Sequence, residues 1–163
     1  MFKSIEGLER LDGKTTLLID VSPSMFAPLS ARSEMTRLQA ACGLAVLARE
    51  ICEDVEIFTF SNKTVKVPPR RGFALRDAML NSQVPNGTLL GAAVTAVDRK
   101  DRRLIVFTDE QSQGPVPSPQ GVGYMINVAS YRNGVGHGPW QRVDGFSEAI
   151  IRWIVANEAA MPS

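Results

Sequence analysis

Histidine is nearly absent from this chain and cysteine is scarce: a single imidazole, His137, and two thiols, Cys42 and Cys52, in 163 residues. No cluster with zinc-ligand spacing can be drawn from them. His137 stands among glycines in the Tyr131–Gly138 stretch and reads as a solvated loop residue, which leaves acid–base or nucleophilic catalysis little support. Cys42 and Cys52 fall on what reads as one helix, about 15 Å apart at ~1.5 Å rise per residue, too far for a disulfide. Both are expected to be buried thiols, in a reducing, cytoplasmic compartment. An excess of one charge is missing too. With 18 Lys and Arg against 17 Asp and Glu, the net charge of +1 argues against a strong nucleic-acid binder and an acidic tail. The longest apolar run, Ala40 to Ala48, is far too short to span a bilayer, so no membrane partner is expected. Met1 to Arg10 contains no apolar signal core. No repeat or linker divides the chain, and the expectation is one domain over 1–163.

What is present centres on Leu17-Leu18-Ile19-Asp20-Val21-Ser22-Pro23-Ser24-Met25. Continuous rather than alternating hydrophobicity over 17–19 reads as a strand covered on both faces. Asp20 then lies at its carboxyl end, where open α/β sheets place their ligand crevice. Pro23 holds the following loop in a turn, and Ser22 and Ser24 can point the same way. One carboxylate and two hydroxyls suit a hard cation such as Mg²⁺. They also suit a plain turn in which Asp and Ser bond the local backbone.

The first strand is expected over Thr16–Asp20, after a turn at Asp12-Gly13. A helix from about Met35 to Cys52 follows, capped by Thr36 with Gln39 three residues on. Val55–Phe60 and Thr64–Val67 form an antiparallel hairpin whose second strand ends at Pro68-Pro69 and so lies at the sheet edge. Lys63, Lys66, Arg70, Arg71 and Arg76 make this the most basic region, which reads as a solvated edge. Helices are expected over 74–82 and 89–97, then a strand Leu104–Thr108 ending in Asp109. Prolines at 115, 117 and 119 forbid a regular helix after it. A strand over 122–129, a short one over 140–143 and a helix from Ser147 to Glu158 complete the chain, with Trp140 and Trp153 packed against that helix. Alternating strands and helices predict an α/β fold: a doubly wound, mostly parallel six-stranded sheet with one antiparallel edge strand and helices on both faces. Asp20, Thr88 and Asp109 fall on loops at one end of it, with Asp109 facing solvent.

The Asp20-Val-Ser22-Pro-Ser24 stretch, Thr88 within Asn86-Gly-Thr-Leu-Leu-Gly91, and Thr108-Asp109 after a strand resemble the metal-ion-dependent adhesion site of von Willebrand factor A domains. The resemblance implies direct contacts from Ser22, Ser24 and Thr88 to Mg²⁺, or to Mn²⁺ or Ca²⁺, with Asp20 and Asp109 acting mostly through waters. It also implies a protein partner that offers an acidic side chain to the metal. Pro23 stands where the family usually has glycine. More narrowly, Arg37-Leu-Gln-Ala-Ala41, Val67-Pro-Pro-Arg-Arg-Gly-Phe-Ala-Leu-Arg76 and Val143-Asp-Gly-Phe-Ser-Glu148 resemble the carboxyl-terminal A-type domain of bacterial Ro (TROVE) proteins. Those are RNA-binding proteins built around a ring of helical repeats, and nothing in this chain looks like the ring.

Three function classes follow. A metal-dependent interaction module of a Ro-type ribonucleoprotein is favoured, and the chain is expected not to be an enzyme. A structural domain of a Ro-like protein with a vestigial metal site is the alternative. A phosphohydrolase of the haloacid-dehalogenase type is remote, because Ser22 occupies the position of its second aspartate. RNA contact is expected to be indirect or weak, since phosphate neutralisation needs more cations and base stacking needs an aromatic platform in a basic groove.

Overall fold

The computed structural model describes residues 11–28, 34–68, 70–84, 87, 89–109, 116–128, 140–144 and 149–160. Six strands form one sheet: β1 (Leu11–Asp20), β2 (Cys52–Phe60), β3 (Thr64–Val67), β4 (Arg102–Thr108), β5 (Gly123–Asn127) and β6 (Gln141–Asp144). Their spatial order is β3-β2-β1-β4-β5-β6. All pairings are parallel except the β2–β3 hairpin, which puts β3 antiparallel at one edge. This order runs outward in both directions from the β1–β4 pair, so the topological switch point lies between those two strands. Among the described residues, four α-helices accompany the sheet: α1 (Arg37–Ile51), α2 (Gly72–Leu80), α3 (Leu90–Val97) and α4 (Ala149–Ala160).

Side-chain alternation along the strands divides the core in two. Leu17, Ile19, Ile57, Ile105, Phe107 and Ile126 cluster with α1, α2 and α4, whereas Leu18, Phe60, Leu104, Val106 and Met125 cluster with α3. Helices therefore cover both faces. Leu17, Leu18 and Ile19 are all 0% exposed, which explains the unbroken apolar run, and each contributes about 1.5–3 kcal/mol by burial. The small residues Ala41, Cys42, Ala45 and Ala48 let α1 approach the sheet closely. Its start is set by a capping box in which Thr36 and Gln39 bond each other's backbone amides. Cys42 and Cys52 are buried and reduced, and burial pushes the Cys42 thiol up to about 12, leaving it unreactive.

Several boundaries differ from expectation. β1 begins at Leu11 because Asp12-Gly13 is a bulge inside the strand and not a turn before it: the register shifts between Leu11 and Lys14, and Gly13 takes a positive φ of 80°. Cys52 opens β2 directly after α1 and does not belong to the helix. Trp140 lies in the α3-side cluster, across the sheet from α4, with its indole N–H donated to the Pro117 carbonyl at 2.9 Å. Trp153 does sit on α4, half-exposed and edge-on to Tyr124 with centroids 5.9 Å apart. Residues 116–119 are non-helical, as their prolines require. His137, Ser147 and the 131–138 loop lie outside the described residues. No described helix is long and apolar enough to cross a membrane.

Candidate metal centre at the switch point

The carboxyl ends of β1 and β4 adjoin, and each delivers a buried carboxylate: Asp20 ends β1, and Asp109 follows β4. Both are 0% exposed. Asp20 is held from three directions. Its Oδ1 accepts the Ser22 amide at 2.8 Å and the Ser22 hydroxyl, and its Oδ2 accepts the Thr108 hydroxyl at 2.7 Å. Pro23 opens a short 3-10 turn, Pro23–Phe26, in which the Met25 amide donates to the Ser22 carbonyl and the Met25 side chain is fully buried. That anchor keeps Ser22 and Ser24 on one side, their Oγ atoms 3.4 Å apart.

Asp109 faces inward, not into solvent as expected from sequence. Its Oδ2 accepts Arg37 Nη1 at 3.0 Å, and the same nitrogen donates to the Ser24 carbonyl at 3.5 Å. Arg37 thus ties the β4 aspartate to the serine loop. Burial pushes the Asp20 carboxyl up to about 6; hydrogen bonds from Ser22 and Thr108 pull the other way, and the Asp109 charge adds to the rise.

Asp20, Ser22, Ser24 and Asp109 therefore form one connected group. Thr88 lies outside the described residues. Its chain neighbours are tied to the end of β2, because Ser61 donates its hydroxyl to the Gly87 carbonyl at 2.7 Å and the Leu89 amide donates to the Ser61 carbonyl at 2.9 Å. Phe60, one residue before Ser61, pairs with Asp20. Among the described residues, no group of three or more His, Cys, Asp or Glu could hold a metal ion. Any ion here would rely on hydroxyls beside two carboxylates, an all-oxygen set that fits a hard cation of the Mg²⁺ or Mn²⁺ kind and not zinc.

Two participants were not assigned roles from sequence. Thr108 is a direct hydroxyl donor to Asp20, and Arg37 is the ion-pair partner of Asp109. A signal for Arg37 existed. It occupies the first helical position of α1, where the macrodipole disfavours a cation, and the first turn has no acidic residue. A cation placed there implies a carboxylate from elsewhere.

No protein-family profile and no curated protein matches this chain. Solved structures do. The Ro (RSR) protein of Deinococcus radiodurans superposes with a TM-score of 0.67 at 18% identity, covering 94% of this chain. The conserved hypothetical protein BatB from Bacteroides thetaiotaomicron superposes with a TM-score of 0.51 at 15% identity, covering 91% of this chain and 98% of its own. The chain has a von Willebrand factor A-like fold. It spans 35% of the length of the Deinococcus protein.

Proposed function

We propose that this domain is a divalent-metal-dependent interaction module of the adhesion-site type, belonging with or derived from a Ro-type ribonucleoprotein. The observation that carries the reading is the convergence of Asp20, Ser22, Ser24 and Asp109 at the β1–β4 switch point. Ser22, Ser24 and Thr88 would hold Mg²⁺ or Mn²⁺ through their hydroxyls, with Asp20 and Asp109 behind them. The bound ion would supply an electrophilic point for a partner's carboxylate, and a first shell poor in charge would leave it receptive. The surrounding loops also expose Phe26 and Leu89, at 51% and 44%, apolar surface a docking protein can cover. Catalysis is not part of the proposal, since Asp20 is fully buried and its oxygens are committed to Ser22 and Thr108, an arrangement ill suited to a nucleophile.

The Arg37–Asp109 pair favours a second reading, a structural domain whose site is neutralised without metal. Titration calorimetry with Mg²⁺ and Mn²⁺ separates the two. The proposal expects saturable one-site binding that Ser22→Ala and Asp109→Asn weaken at least tenfold. Absence of binding in the wild type favours the structural reading. RNA is assigned a weak, indirect role. Phe73, at 74% exposure with Arg76 stacked 4.7 Å above its ring, is an exposed aromatic platform, yet it is one ring and not a groove.

A further inference from the structure

Arg37 is costly where it stands. It sits at the amino end of α1, against the helix dipole, with its side chain only 12% exposed. A guanidinium withdrawn from water is stable only when paired, and among its partners are the Asp109 carboxylate and the Ser24 carbonyl. Both belong to the cluster that would surround the ion. Asp20 and Asp109 are both fully buried at the adjoining carboxyl ends of β1 and β4, so the site without metal gathers two buried carboxylates.

We propose that Arg37 is the resident counter-ion of this site: it neutralises Asp109 in the metal-free protein and opposes a divalent cation, so that metal and a partner's carboxylate bind cooperatively. This rests on the metal reading above. With Arg37 and an M²⁺ ion both present, positive charge outweighs the two aspartates by one. An incoming carboxylate restores neutrality, which couples the two ligands, each raising the other's affinity by the same factor. At an effective dielectric of about 20, one unit charge a few ångströms from a divalent ion outweighs the ~1.4 kcal/mol that corresponds to tenfold in affinity.

The test is Mn²⁺ titration, followed by electron paramagnetic resonance of the free ion, on wild type, Arg37→Gln and Arg37→Lys, with Asp20→Asn as the blank. Arg37→Gln is expected to bind Mn²⁺ at least tenfold more tightly than wild type and to melt earlier in EDTA, while Arg37→Lys, which keeps the charge, stays near wild type. Equal or weaker binding by Arg37→Gln overturns the inference and leaves the metal reading standing. No binding by any of the proteins overturns both. A second measurement needs no variant: replacing sodium chloride by sodium acetate at matched ionic strength is expected to raise wild-type Mn²⁺ affinity, and an unchanged affinity overturns the coupling.

Discussion

Replacing Asp20 by asparagine should stabilise the metal-free protein while removing its response to metal. The carboxyl titrates near 3.8 in an unfolded chain and near 6 in the fold, chiefly because it is buried. A folded-state pKa above the unfolded value means that the fold binds the proton more tightly. Ionising Asp20 therefore destabilises the fold, fully above about pH 6 and not at all below about pH 3.8. At about 1.4 kcal/mol per pH unit, the gap amounts to about 3 kcal/mol at neutral pH. Asparagine keeps an acceptor for the Ser22 amide and hydroxyl and offers its amide to Thr108, but carries no charge. Unfolding by urea in EDTA at pH 7.5 should find Asp20→Asn more stable than wild type by about 1–3 kcal/mol, or about 2–4 °C in Tm per kcal/mol for a domain of this size. The advantage should shrink towards zero as pH falls to 4. In excess Mg²⁺ the order should narrow or reverse, because an ion that binds only the folded wild type stabilises it by mass action. An Asp20→Asn protein less stable than wild type at pH 7.5, or a difference that does not vary with pH, would refute this reasoning.

Other predictions concern the frame around the site. Gly123→Ala places a methyl 2.6 Å from both Pro119 Cβ and the Trp140 ring, so it should cost about 1–3 kcal/mol and shift tryptophan fluorescence, read in the same urea titration. Gly43, exposed in the interior of α1 with open space around its missing Cβ, should tolerate alanine and gain about 0.5–1 kcal/mol in thermal unfolding. Glu158 accepts Arg103 at 2.6 Å and the Tyr124 hydroxyl at 2.5 Å; burial raises its pKa, but these two partners hold it below 4.5 on balance. Its contribution is therefore present above the unfolded carboxylate range and lost as pH falls through the folded value. Glu158→Gln should lower stability by about 2 kcal/mol at pH 7, and acid unfolding monitored by circular dichroism should show less of that loss as pH falls through the lowered folded-state value.

The framework was legible because its signals are local. Continuous apolar runs at 17–19 and 104–107 mark strands buried on two faces, Thr36 and Gln39 form a self-contained cap, and Ser61-Asn62-Lys63 is short enough to force a hairpin. The serine loop was legible too, since Pro23 and the hydroxyl spacing act over a few residues. What escaped depends on chain-distant packing. Asp109 looked solvent-facing because Arg37, 72 positions earlier in sequence, meets it only once the sheet has formed. The sequence points Trp140 towards the last helix, whereas its face depends on the Gly123 gap that its ring fills. The Gly13 bulge reads as a turn in sequence because both need a positive φ.

A crystal grown in Mn²⁺ with anomalous data tests most directly whether this cluster holds a divalent cation. One anomalous peak is expected, bounded by the Ser22 and Ser24 hydroxyls, the Thr88 side chain and the Asp20 and Asp109 carboxylates. A well-ordered site with no peak at saturating Mn²⁺, and Arg37 still paired to Asp109, would contradict it.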